Sequence, residues 1–265
     1  MSAFVARVAA LAGVAEDRLQ RLHGGDLSEV LMIPGGLVAK GGPAVPTEAA
    51  MLRALHAAGA PAPGIEGEYQ DVLLLQHIDN DGVMSPRAWG DIGRALRDLH
   101  DHRGETYGWP ANYRLGTVEL DNRENGDWPA FWGEQRLAHT AAILDRPWRE
   151  RVAALLPRLV DLLPPSPLAA LLHGDLWGGN ILVKDGALAA FIDPACYYGH
   201  VEVDLAMLHL FDAPPEDFHE AYGPLEPGWE ERRLAYQLFP ALVHFRLFGA
   251  TYAPMVDRLL SALGV

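Results

Sequence analysis

Cysteine is almost missing from this 265-residue chain: Cys196 stands alone. That excludes an internal disulfide framework and makes a reducing, cytoplasmic setting the expectation. Long apolar runs are missing too. None approaches the roughly 20 residues that span a bilayer, so no membrane partner is expected. Positive charge is scarce: 21 Lys and Arg stand against 35 Asp and Glu, giving a net charge of −14 with no basic stripe. Nucleic acid and anionic membrane surfaces are therefore excluded as partners. Among the few cations, Lys40 and Lys184 are the only lysines. A lysine in a chain that otherwise uses arginine is a hint that a compact ammonium is needed there. Lys184, in a turn, reads as merely solvated.

What is present reads as a soluble globular protein with 49% hydrophobic and 21% charged residues, long enough for two lobes around a cleft. The opening MSAFVARVAALAG lacks a basic leader and is interrupted by Arg7, so residues 3–12 read as an amphipathic helix. Residues 18–42 alternate apolar and polar positions between glycine pairs and predict three short antiparallel strands. Residues 46–60 predict a helix capped by Thr47, and 71–79 a buried strand followed by a polar loop. From Ser85 the texture turns helical: 85–102, 127–145 and 148–163, then 203–212, 214–222, 229–249 and 252–263. A hairpin over 181–193 interrupts the series, marked by Asp185-Gly186 between apolar runs. The fold class expected is α+β and bilobal: a small antiparallel-sheet lobe over 1–80 and a larger, mainly helical lobe over 81–265.

The stretch LLHGDLWGGNILV, 171–183, fits neither a strand nor a helix. Its glycines would weaken a helix, and a buried strand would not choose a carboxylate and an amide. Phosphoryl transfer needs such a loop. A carboxylate orients the attacking hydroxyl and takes its proton, while oxygen ligands hold Mg²⁺. Asp175 suits the base, and Asn180 with Asp193, at the far end of the hairpin, suits the metal. Taken singly, each could be an ordinary turn or strand-end residue; the ordered set is what argues for chemistry. Upstream, the Gly24-Gly25 turn could cover phosphates with backbone N–H groups, a weak signal by itself. Lys40 ends a strand where a phosphate-neutralising ammonium would sit. Glu48, in the first turn of the next helix, could pair with it or could only complement the helix dipole.

These residues carry a resemblance. The loop resembles the catalytic motif of protein-kinase-like small-molecule kinases such as aminoglycoside phosphotransferases. More closely, LLHGDLWGGN (171–180), IDPACYYGHVEVDLAM (192–207), DWPAFWGEQRL (127–137), NYRLG (112–116) and YQLFPALVHFRLFG (236–249) resemble the fructosamine-3-kinase, or ketosamine-3-kinase, family over nearly the whole chain. The resemblance implies a protein-kinase-like fold and ATP- and Mg²⁺-dependent phosphorylation of the 3-hydroxyl of a ketosamine, free or protein-bound. The unstable 3-phosphate then frees the amine, a repair of glycated protein. It also implies Asp175 as base, Asn180 and Asp193 as Mg²⁺ ligands, and Lys40 paired with Glu48 at the ATP phosphates. Gln76, His77, Ile78 and Asp79 become the interlobe hinge that meets adenine. Asp26, acidic and near the expected phosphates, is expected to face solvent.

Other residues keep two readings. Trp177 either stacks on the sugar or packs between loop and helix. Glu202 is a candidate substrate contact. Tyr197, Tyr198 and Cys196 are candidate pocket lining, with core packing the stronger alternative, and no reactive thiol is expected at Cys196. Trp128, Phe131, Trp132 and Arg136 share a helical face, normally core, although Trp128 and Gln135-Arg136 could approach substrate. His173 is expected to hold the loop backbone, and Asp204 to cap the next helix and brace the loop. Three rivals remain: an aminoglycoside, choline-like or other alcohol acceptor on the same fold; a catalytically silent pseudokinase; and a zinc hydrolase built on His200, Glu202 and Asp204.

Overall fold

The computed structural model describes residues 2–22 and 29–265. A five-stranded antiparallel sheet forms first, in the order β1-β2-β3-β5-β4. Its strands are β1 (Gln20–Arg21), β2 (Val30–Ile33), β3 (Leu37–Gly41), β4 (Ile65–Tyr69) and β5 (Val72–Gln76). Helix α1 (Ala3–Ala12) covers one face and α2 (Val45–Ala57) serves the other. Strand alternation explains the unbroken apolar run of β5. Val72 and Leu74 pack with Val5 and Val8 of α1, whereas Leu73 and Leu75 pack with Val45, Ala49 and Leu52 of α2. The same parity aims Lys40. It pairs in register with Leu73, and its side chain emerges on the α2 face, where Glu48 lies.

Two details differ from the sequence reading. Helix α2 starts at Val45 after Ala44, with no side-chain cap, and Thr47 lies inside the first turn. Pro46 supplies the preset φ and the missing N–H that a first turn tolerates, so a hydroxyl cap is dispensable. Strand β4 also went unforeseen, because IEGEY is a mostly exposed, charged edge strand whose composition is that of a loop.

The remainder is mainly helical. Helix α3 (Pro86–His100) is capped by the Ser85 hydroxyl, which accepts from the Ala88 N–H. Next come the short hairpin β6 (Tyr113–Leu115) and β7 (Val118–Leu120), absent from the sequence reading. Helix α4 (Trp128–Ala130) is capped by Asp127 and runs through a π-helical stretch, Phe131–Ala138, into α5 (His139–Ala141). Helices α6 (Arg146–Leu155) and α7 (Leu159–Leu162) follow, joined by a 3₁₀ turn. Strand β8 (Ala170–Leu172) leads to the hairpin β9 (Ile181–Lys184) and β10 (Ala187–Phe191), and β11 (Tyr197–Gly199) returns to pair with β8. Asp185 and Gly186 both have positive φ, 51° and 69°, as the tight hairpin turn requires. The chain ends in α8 (Glu202–Phe211), α9 (Glu216–Tyr222), α10 (Trp229–Phe248) and α11 (Ala253–Ala262). Gly93 of α3 sits so close to α9 that a Cβ there would lie 2.6 Å from the Phe218 carbonyl oxygen. No described helix is long and apolar enough to cross a membrane.

Candidate active site

The loop after β8 is held from behind. The His173 and Gly174 N–H groups donate to the two oxygens of Asp204, at 2.7 and 2.9 Å, and the His100 Nε2–H donates to the same carboxylate at 3.1 Å. Asp204 stands in the first turn of α8 and braces the loop, but it does not cap the helix, since the N-cap is Val201. The His173 Nε2–H donates to the Ile192 carbonyl at 3.0 Å, which leaves Nδ1 to accept from the Asp175 N–H at 3.4 Å. Burial lowers the His173 pKa, so the ring is a neutral spacer between the loop and the end of β10. Gly174 has φ 81°, and a Cβ there would lie 2.1 Å from the Ala195 carbonyl oxygen, so no other residue fits.

This bracing delivers Asp175 to the cleft. The Asn180 Nδ2–H₂ donates to the Asp175 carbonyl at 2.8 Å and to its carboxylate Oδ2 at 2.9 Å. Burial pushes the Asp175 carboxyl up to about 7. The Asn180 hydrogen bond pulls it down, and Asp193 and Asp204 add repulsion. Lys40 reaches across from β3. Its ammonium donates to Glu48 and, at 2.8 Å, to Asp193 Oδ1. Burial opposes the charge on Lys40, but Glu48 and Asp193 outweigh it and hold the pKa above the ordinary lysine value. Asn180 and Asp193 fit a hard cation. With its Nδ2 committed to Asp175, Asn180 has its oxygen to offer, and Asp193 has its second carboxylate oxygen. Among the described residues no three His, Cys, Asp or Glu side chains converge as zinc would require.

All of these groups line one cavity of about 880 Å³. Tyr113 of β6 enters it as well, buried beside Lys40, Glu48, Asp193 and Asp175. Burial first, then the Glu48 charge, raises its phenol pKa. On the far side Trp177, Phe211, His244 and Tyr252 complete the wall.

The sequence model of the family described as fructosamine kinase matches residues 43–263. The chain belongs to the fructosamine kinase family. A probable ketoamine kinase of Thermus thermophilus is 35% identical over 261 residues, which cover 94% of this chain and 95% of that protein. A probable ketoamine kinase of Synechocystis is also 35% identical, over 65% of this chain but only 61% of its own length. The solved structure of a fructosamine-3-kinase candidate from Thermobifida fusca superposes with a TM-score of 0.84 at 30% identity, covering 98% of each chain. The fold extends further. An aminoglycoside phosphotransferase solved with ADP and hygromycin B has a TM-score of 0.67 at 15% identity, over 98% of this chain and 99% of its own. The α+β, protein-kinase-like fold expected from the sequence is the one observed.

Within this fructosamine kinase fold, several sequence candidates lie elsewhere. Glu202 is buried, and its two oxygens accept from Arg232 at 2.8 and 2.5 Å; a carboxylate so saturated does not reach the cleft. Tyr197 is core, with the Arg136 guanidinium 4.2 Å from its ring centroid. Tyr198 points to the other face of β11 and stacks on Trp109 at 6.0 Å. Neither tyrosine lines the cavity. Trp128 and Arg136 are fully buried, and Arg136 donates to the Asp121 carbonyl and Asn122 Oδ1 instead of to any ligand. His200 Nδ1 lies 3.8 Å from Glu202, but the hydrogen bonds of His200, Glu202 and Asp204 go to Tyr236, Arg232 and the loop after β8. Gln76 ends β5 and His77, Ile78 and Asp79 follow it, all outside this cavity's lining, and the His77 N–H donates to the Gly36 carbonyl at 2.9 Å. Gly24, Gly25 and Asp26 lie outside the described residues. Sequence reasoning missed Tyr113, Phe211, His244, Phe248 and Tyr252; Tyr113, His244 and Phe248 stand in the quoted runs NYRLG and YQLFPALVHFRLFG, where their aromatic character was the available signal.

Proposed function

We propose that the chain uses ATP to phosphorylate the 3-hydroxyl of a ketosamine formed between a reducing sugar and an amine. The observation that carries this reading is the Asp175 carboxylate, pinned by Asn180 and sharing one cavity with Lys40 and Asp193. Asp175 accepts the proton of the attacking hydroxyl, whose oxygen bonds to the γ-phosphorus as the bond to the bridging oxygen breaks and ADP leaves. A carboxyl poised near 7 suits that task at neutral pH. Lys40, kept charged and oriented by Glu48, meets the phosphates. Asn180 and Asp193 would hold Mg²⁺, which supplies charge neutralisation when bound. Residues 1–80 act as the nucleotide lobe, with Gln76–Asp79 as the hinge; residues 81–265 carry the acceptor. The names of the ketoamine kinase relatives support the ketosamine. Loss of the unstable 3-phosphorylated sugar would free the amine, a deglycation step suited to the cytoplasm.

The test is ATP consumption by the purified protein with Mg²⁺, offering ribulosyl-lysine, fructosyl-lysine and an aminoglycoside in parallel. Turnover of a ketosamine is expected. Asp175→Asn should lower kcat by roughly 10²–10⁴-fold while nucleotide binding survives. Turnover of the aminoglycoside alone would reject the acceptor. ATP binding with no turnover would favour a pseudokinase.

A further inference from the structure

The acceptor side of the cleft carries more apolar surface than a sugar needs. Trp177 meets Phe211 edge to face with centroids 6.2 Å apart, and Phe211 lies 4.6 Å from His244. His244 in turn lies 5.0 Å from Tyr252 and 5.5 Å from Phe248, which are 5.8 Å from each other. These five rings come from the catalytic loop, the end of α8, the end of α10 and the turn into α11, and all line the cavity that holds Asp175. Trp177 and Phe248 are 38% and 42% exposed there. Large apolar side chains left open in one contiguous patch mark a binding surface.

The charges on this side are of one kind. Burial lowers the His244 pKa, and its Nδ1–H donates to the Pro240 carbonyl at 2.9 Å, so the ring is a neutral part of the wall. Among the described residues of 121–265 that line the cavity, the charged groups are then Asp175 and Asp193, and Asp193 is paired with Lys40 at 2.8 Å. On the opposite hairpin Arg114 is paired with Glu119 at 2.9 Å.

We infer that the five-ring wall reads the amine substituent of the acceptor, so that the preferred ketosamines are those of apolar or aromatic amines. This rests on the ketosamine reading. The nitrogen of such an adduct is cationic, and ring faces together with the Asp175 carboxylate suit it. With the sugar hydroxyl at Asp175, the wall begins two residues along the chain, at Trp177. A substituent leaving the nitrogen along it meets rings at every step. An apolar group is rewarded there, whereas a carboxylate is desolvated against apolar surface and repelled by Asp175.

The experiment is steady-state kinetics with ATP and four ketosamines of one sugar: the ribulosyl adducts of methylamine, butylamine, benzylamine and glycine. Expected is a rise in kcat/KM of about tenfold or more from methyl to benzyl, with the glycine adduct below methyl. In Phe248→Ala and Tyr252→Ala the benzyl-to-methyl ratio should fall towards one. Being a ratio within each variant, it is insensitive to the fraction folded. Turnover of the methylamine adduct with a flat series would overturn the inference and leave the ketosamine reading standing. Failure of all four adducts while an aminoglycoside turns over would overturn both.

Discussion

The two sides of the cleft are built on different principles. The catalytic loop is fixed by discrete hydrogen bonds: Asp204 to two successive N–H groups, His173 to Ile192, Asn180 to Asp175. Each link has one workable geometry, so a sub-ångström error at Asp175 would be costly. The aromatic wall is a run of rings at centroid distances of 4.6–6.2 Å, held by area and shape. Such a surface tolerates repacking and grades its ligands without an all-or-none choice. Under the proposed function, the loop side governs whether phosphate moves and the wall governs on which acceptor.

Losing a pinned group should hurt most. Lys40→Ala removes the ammonium that Glu48 and Asp193 share, and a drop in kcat/KM for ATP of about 10²–10³-fold is expected. Because two carboxylates are left facing each other, thermal denaturation should also show a loss of stability of about 3–5 kcal/mol. A variant with unchanged ATP kinetics would remove Lys40 from the site.

Asp204→Asn comes next. One oxygen can still accept, but the bidentate, charged grip on His173 and Gly174 is gone. A loss of about 1.5–3 kcal/mol is expected from the hydrogen bond to a charged group. It should appear as lower kcat with little change in acceptor KM, since the loop moves while four of the wall's five rings, on α8, α10 and the turn into α11, do not. A change confined to KM would break the contrast between the two sides.

The most gradual effect is a slope with pH. Burial, with Arg232 and His100 nearby, pushes His200 down to about 3, below the unfolded value near 6.5. Its contribution is fully present above about pH 6.5. As pH falls from there towards 3 the unfolded chain binds a proton that the folded one refuses, and stability drops by up to about 1.4 kcal/mol per unit. Urea unfolding at pH 7, 6 and 5 should show that slope, and His200→Gln should flatten it. An unchanged slope in the variant would assign the effect to other groups.

Legibility in the sequence follows the same division. Asp175, Asn180 and Asp193 fall within nineteen positions of one another, on a loop and hairpin whose glycines and turn residues force the local path. The placement of Lys40 opposite Glu48 followed from strand parity and a short helix, again local rules. Glu202 misled because its place in the family-like run IDPACYYGHVEVDLAM says nothing of Arg232, thirty positions on, which takes the carboxylate. Likewise Tyr197 and Tyr198 stand on adjacent positions of one strand, and nothing local says that one joins the Arg136 stack while the other meets Trp109.

By itself, then, the sequence determined the catalytic loop, the hairpin turn, the capped helix α3 and the alternating strands of the sheet, because period, glycine conformation and short spacing act within a few residues. Only the tertiary structure decided that Tyr113 stands beside Lys40, and that Trp177, Phe211, His244 and Tyr252 form one wall. Those meetings join positions tens of residues apart through the packing of whole helices. Apolar contact is non-directional, so an aromatic residue in a helix carries no mark of which neighbour it will find.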